Sequence, residues 1–214
     1  MSQESITIGL YDYQKQAVVD ALLHVGLSEE QIRAAQSDWE PIRKGAIERL
    51  HKEGVPLDSL PKHWGWDWTR KVSRLGSKVF GFYGIECDGK MQGMLEVAKE
   101  GYLAKLPSQK GKPLIYVRYI ETAPWNLKLL EPIPRFGGVG ARLIRSAVEL
   151  SLEEGCKGRV GLHSLPGDNK GEPEWFYRNT CNMESLEAER DGEGLLYFEL
   201  TPEKATEFLS GETS

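Results

Sequence analysis

Arg135-Phe136-Gly137-Gly138-Val139-Gly140 runs directly into Ala141 to Glu154, and this junction decides the fold. In the second stretch Leu143, Ile144, Ala147, Val148 and Leu150 recur at helical spacing, and Gly155 supplies a stop, which predicts an amphipathic helix. Upstream lies Leu114 to Glu121, rich in Ile, Tyr and Val, which predicts a strand. A long polar connection follows it, with Pro124, Pro132 and Pro134. Downstream, Arg159 to Leu165 predicts another strand. The order strand, Gly-rich turn, helix, strand is that of an α/β fold.

The turn has its own chemistry. Gly137, Gly138 and Gly140 permit backbone conformations and close approaches that a Cβ would block. Successive N–H groups there can converge on an anion, and the helix start adds unpaired donors and the positive end of its dipole. Arg135 and Arg142 can add charge-assisted hydrogen bonds, so a pyrophosphate is the expected guest. The bland alternative is a tight helix entry with no ligand. The dinucleotide-binding spacing Gly-x-Gly-x-x-Gly fails, because Gly138-x-Gly140 is followed by Ala141-Arg142-Leu143. The Gly-Lys-Ser/Thr of a nucleoside-triphosphate loop is absent too.

Working outward, Ser5 to Gly9 predicts a short strand, and Tyr13 to His24 a helix, with Ala17, Val18, Ala21 and Leu22 at helix spacing. Ser28 and Gln31 have the spacing of a capping box, opening a helix to about Lys52 that bends or breaks near Pro41. In Leu57 to Leu75, Trp64, Trp66 and Trp68 crowd together, with Trp64 and Trp68 four apart on one helix face. Such a segment reads either as a docking face buried against the sheet or as an aromatic wall of a substrate pocket, and three fully exposed indoles are excluded by their apolar area. Asp88-Gly89 is a hairpin turn between strands Lys78 to Cys87 and Lys90 to Lys99. Pro173 to Thr180 predicts a short helix; Leu186 to Arg190 and Leu195 to Leu200 the last strands; Thr201 to Leu209 a terminal helix. The expected architecture is one α/β domain over 1–214, a mixed central sheet with flanking helices, residues 1–77 forming a mostly helical N-terminal portion.

Composition sets outer bounds. The chain has 214 residues, 40% hydrophobic and 28% charged, as ordinary globular domains do. A net charge of -5 and the lack of a long basic run argue against a nucleic-acid partner. No apolar run is long enough to span a bilayer, so no membrane partner is expected and a cytoplasmic location is the default. Cys87, Cys156 and Cys181 are scattered, with no Cys-x-x-Cys, and suggest neither disulfides nor a metal site.

Arg135-x-x-Gly138-x-Gly140-Ala141 resembles the coenzyme A signature of the GNAT superfamily of acyl-CoA-dependent N-acetyltransferases. The likeness extends to Ile115 to Thr122 as that family's fourth strand and Arg159 to Leu165 as its fifth. Trp175-Phe176-Tyr177-Arg178-Asn179 resembles the segment after the fifth strand, and the likeness covers roughly residues 78–200. It implies parallel fourth and fifth strands that splay apart, with acetyl-CoA as co-substrate in the gap. Main chains of Tyr119, Ile120, Glu121 and Thr122 would pair with its pantetheine, while Arg135, Gly137, Gly138, Val139, Gly140, Ala141 and Arg142 would hold its pyrophosphate. An amine would attack the thioester directly, with Tyr177 as the acid that protonates the departing thiolate and Glu121 as base or water-holding carboxylate. The bland readings are a packed aromatic and a solvated strand-end charge. His163 is a second base candidate or a hydrogen-bonded pocket lining; Asn126 and Trp125 fall on the acceptor side, Asn126 either binding substrate or tying down its loop. Where the family often has an Asn seven residues before the Tyr, this chain has Lys170, with Asn169 beside it; Asp168 to Glu174 looks inserted.

The leading expectation is therefore an N-acetyltransferase acting on a small-molecule or peptide amine, with a homodimer left open. A non-catalytic acyl-CoA sensor of the same fold is the alternative, and a dinucleotide-dependent oxidoreductase is disfavoured by the failed glycine spacing.

Overall fold

The computed structural model describes residues 4–56, 60, 62–127, 130, 133–167 and 172–211. Its strands are β1 (Glu4–Asp12), β2 (Ala17–Val25), β3 (Phe80–Cys87), β4 (Lys90–Ala98), β5 (Ile115–Thr122), β6 (Phe136–Gly137), β7 (Val160–Ser164), β8 (Glu184–Arg190) and β9 (Leu196–Glu199). Its helices are α1 (Glu29–Lys52), α2 (Val139–Glu153), α3 (Pro173–Trp175) and α4 (Pro202–Ser210). The strands hydrogen-bond in the order β6-β1-β2-β3-β4-β5-β7-β9-β8, a mixed nine-stranded sheet whose β5–β7 pair is parallel. By internal contacts the chain falls into two compact units. One comprises Met1–Ser77, Phe82–Met94 and Glu121–Gly140; the other comprises Lys78–Gly81, Leu95–Ile120 and Ala141–Ser214.

The first unit begins with a hairpin that corrects the helical reading of Tyr13 to His24. Strand β1 runs on to Asp12, and β2 pairs with it antiparallel from Ala17↔Asp12 to Val25↔Glu4. The segment satisfies both periodicities, since Val19, Ala21 and Leu23 also alternate. Pairing wins because β1 and β3 offer ladders on both sides. Ala21 and Leu23 turn inward while Val18, at 70% exposure, faces solvent. Asp12 starts the reversal, its Oδ1 accepting from the N–H groups of Gln14 (2.9 Å) and Lys15 (3.0 Å).

Helix α1 opens with the expected reciprocal cap between Ser28 and Gln31 and continues through Pro41 without a break in the assignment. Its buried stripe is Ile32, Ala35, Gln36, Trp39, Arg43 and Ala46. Trp39 Nε1 donates to the Met91 carbonyl at 3.2 Å, and Gln36 Oε1 accepts from the Trp68 N–H at 3.1 Å. The tryptophan segment forms two separate 3-10 turns, Lys62–Gly65 and Trp68–Arg74, rather than one helix sharing a face. Trp64 and Trp68 are buried, as three clustered indoles require; Trp64 joins Ala46 and Leu130 in a small apolar cluster. The Asp88-Gly89 turn has φ of 53° and 69°, the left-handed pair of a tight hairpin turn.

In the second unit, α2 buries Leu143, Ile144, Ala147 and Val148. Arg145 fastens it to the carbonyl of Leu209 at the end of α4 (2.8 Å). The buried Glu199 accepts from the N–H of Lys105 (2.7 Å) and from the Tyr197 hydroxyl (2.6 Å), tying the 101–113 connection to β9. The remaining elements follow the expected strands and helices within a few residues. Among the described residues no helix is long and apolar enough to cross a membrane. The calls on Pro132, Asp168, Asn169, Lys170 and Gly171 lie outside the described residues.

Removing the α1 cap tests its contribution. Ser28→Ala is expected to lower unfolding stability by about 0.5–2 kcal/mol, measured by urea titration, with an unchanged m-value.

Candidate functional site

The parallel ladder between β5 and β7 holds only at Ile115↔Val160, Tyr116↔Gly161 and Val117↔Leu162. Beyond it β7 continues as His163 and Ser164, which pair with Tyr197 and Leu196 of β9. Among the described residues no strand pairs with β5 on that side from Arg118 onward. This is the splay that the family resemblance implies. Tyr119, Ile120 and Thr122 are half-buried along it.

The Gly-rich turn has the geometry of an anion cradle. Gly137 ends β6, which pairs with Tyr11 of β1, and a Cβ there would sit 2.9 Å from the Tyr13 hydroxyl. Gly138 is exposed and takes φ of +84°, open only to glycine at low cost. Helix α2 starts at Val139, two residues before the predicted start, so the orphan N–H groups of its first turn belong to Val139, Gly140 and Ala141. Val139 buries its side chain and can serve only through its main chain, whereas Arg142 is exposed.

Arg135 departs from its expected role. Its guanidinium lies 3.0 Å from Asp12 and 2.8 Å from Asp88, and it also contacts Gln14. Its main chain joins Tyr13 and Trp125. It clamps the β1 end to the β3–β4 turn, and two carboxylates already neutralise the charge a phosphate would need. The N–H groups of Lys15 and Gln14, with the Arg135 charge, outweigh burial and hold the Asp12 carboxyl below its ordinary value.

Glu121 is corrected as well. It is buried, with Arg43 Nη1 2.6 Å from Oε1 and Trp68 Nε1 2.6 Å from Oε2. Burial pushes its carboxyl up while Arg43 and the indole oppose the rise. Its charge is paired with Arg43 in a buried setting, so it is placed as a structural anion, and it is not the solvated strand-end charge of the bland reading either. Sequence reasoning missed Arg43, whose signal was a charge in the apolar stripe of α1. Near it, His63 is depressed to about 4 by burial and by the Arg43 charge.

Asn126 and Trp125 tie down their loop. Asn126 Oδ1 accepts from the Phe136 N–H (2.9 Å), its Nδ2 donates to Gln92 Oε1 (3.0 Å), and Trp125 Nε1 donates to the same oxygen (2.7 Å). Of the two readings of Asn126, the loop tie is the one observed.

Tyr177 lies in a π-helical turn, Phe176–Thr180, of a kind that recurs at functional sites. Its buried ring packs on Phe198 (5.8 Å between centroids), and burial raises its phenol above the ordinary value. His163 packs instead on Tyr197 (5.1 Å), with Nδ1 2.6 Å from the Tyr116 hydroxyl. Tyr197 and Phe198 are successive strand residues, so Tyr177 and His163 stand on opposite faces of the sheet.

No family model matches the sequence, and no curated protein does. Among solved structures, the GNAT domain of S. lividans PAT superposes with a TM-score of 0.55 at 13% identity, covering 92% of this chain and 96% of that one. An uncharacterized protein from Bacillus halodurans gives 0.51 at 10% identity, covering 96% and 97%. The chain has the fold of the GNAT acetyltransferases, a mixed sheet with one parallel pair and flanking helices.

The buried pair is open to a direct test. Arg43→Met should lower stability by about 3–5 kcal/mol, because it strands the Glu121 charge; adding Glu121→Met should recover most of that loss. Equal losses in the single and double variants, by urea unfolding, would contradict the pairing.

Proposed function

We propose that the chain is an N-acetyltransferase that moves an acetyl group from acetyl-CoA to a primary amine of a small molecule or peptide. The observation that carries this reading is the parting of β5 from β7 after Val117, where main-chain groups of Ile120 and Thr122 are offered to the amides of a pantetheine arm. The pyrophosphate is assigned to the N–H groups of Gly138, Val139, Gly140 and Ala141, with Arg142 supplying the charge that Arg135 spends elsewhere. When bound, the co-substrate supplies an activated thioester.

The neutral amine attacks the thioester carbonyl and the C–N bond forms; the attacking nitrogen gives its extra proton to solvent water, and the C–S bond breaks to release a thiolate. Tyr177 is assigned the proton that the thiolate takes. Its raised phenol stays protonated at neutral pH, which an acid requires, although burial also makes it a weaker one.

One observation favours the alternative of a non-catalytic acyl-CoA sensor: Glu121, the carboxylate at the end of β5, is buried and paired with Arg43 and Trp68. Release of free thiol from acetyl-CoA in the presence of an amine panel separates the two, since a sensor binds the thioester and leaves it intact.

Two variants divide binding from chemistry. Gly138→Asp places a Cβ in a left-handed backbone and a negative charge beside the phosphates, so calorimetry should find acetyl-CoA binding weakened by about tenfold or more. Unchanged binding by the folded variant would move the site elsewhere. Tyr177→Phe should keep that binding and lose roughly 10²–10⁴ in turnover with chemistry rate-limiting. A well-folded variant at full turnover would remove Tyr177 from the reaction.

A further inference from the structure

His163 is the first residue of β7 beyond the paired stretch, so it stands where the two strands part. Its ring lies between Tyr116 (5.9 Å) and Tyr197 (5.1 Å). Nδ1 is 2.6 Å from the Tyr116 hydroxyl, whereas Nε2 is buried and has no hydrogen-bond partner among the described residues.

Which nitrogen carries the hydrogen follows from Tyr116. Burial, with the Tyr102 phenol and Asp191 nearby, pushes its hydroxyl up to about 12, so it keeps its proton at any physiological pH. Nδ1 is its hydrogen-bond partner among the described residues, and 2.6 Å suits an O–H donor better than an N–H donor. The imidazole itself is held neutral. Burial and the Lys105 charge lower its pKa, against smaller opposing effects of Asp191 and Glu189. A neutral ring that accepts at Nδ1 carries its hydrogen at Nε2. His163 therefore presents a buried N–H at the splay, not a lone pair, which removes it as a base.

The same face of β5 repeats every second residue, from Tyr116 to Arg118. Arg118 sits over the Phe80 ring at 5.0 Å, its Nε 3.6 Å from Glu96, and its side chain is 28% exposed. Arg118 is already paired with Glu96, so among the described residues His163 Nε2 is the donor here that lacks an acceptor, and a buried donor without an acceptor selects an oxygen-bearing guest.

We propose that His163, held by Tyr116 as the Nε2–H tautomer, is a specificity-determining donor that receives a carbonyl or carboxylate oxygen borne near the amine of the acceptor. The assignment of that guest as acceptor rests on the acetyltransferase reading; the tautomer does not.

Long-range proton–nitrogen NMR of histidine-labelled protein at pH 7 tests the first part, with His163→Gln identifying the signal. A single Nε2–H tautomer is expected, giving way to a mixture in Tyr116→Phe. An Nδ1–H ring or an imidazolium in the unmodified protein would overturn the proposal. Matched acceptors test the second part: glycine, glycinamide and ethylamine. The two oxygen-bearing amines should exceed ethylamine in kcat/KM by about tenfold or more. His163→Ala should lose most of that preference, while His163→Gln, which still carries an N–H donor, keeps part of it. A preference that is unchanged in His163→Ala would sink the idea. The NMR signal read during titration with glycinamide and with ethylamine needs no turnover. Movement of the Nε2–H signal with glycinamide or glycine but not ethylamine supports the contact, and no movement with any of them refutes it, so a protein that acetylates none of these amines bears on the enzymatic reading and leaves this test intact.

Discussion

The parting of β5 from β7 after Val117 is the constraint on which the candidate site depends. A strand inside a sheet is stable because both edges are satisfied, and β5 gives up one edge after Val117. That loss is tolerable where something else supplies donors and acceptors, and an extended amide-bearing arm is chemically suited to the task. Folding thus leaves behind a strip of polar backbone with fixed direction and spacing, while side chains beside it decide what else can enter.

The end of that strip carries a buried charge pair. Glu121 meets Arg43 and Trp68 with both oxygens, in a place where neither charge sees water. Such a pair adds little net stability, since desolvation offsets attraction, but losing one member is costly. It fixes where the strand ends, which makes Glu121 a residue of position. A similar trade occurs at Arg135: the guanidinium that the motif suggested for phosphate is spent on Asp12 and Asp88, and the cradle is left to main-chain N–H groups and the start of α2.

The two faces of the second unit's strands carry different chemistry. On one, Tyr177 packs against Phe198 in an apolar setting that keeps a phenol protonated. On the other, tyrosines surround His163 and set its tautomer.

Much of this was legible in the residues. Glycine at 137, 138 and 140 before an amphipathic run announces a helix entry with free N–H groups, because only the absence of a Cβ permits that backbone. Ser28 with Gln31 and Asp88 with Gly89 likewise name their cap and their turn, as each effect acts within a few residues. The hairpin of β1 and β2 was not legible: Ala17 to Val25 fits both periods, and only neighbouring strands decide between them. Nor were the fates of Glu121, Arg135 and Asn126, whose partners Arg43, Asp12 and Gln92 lie far along the chain. Local spacing determined the cradle, the caps and the order of elements; the tertiary structure alone decided which charges remain available, because a carboxylate or guanidinium is claimed by whatever folding brings beside it.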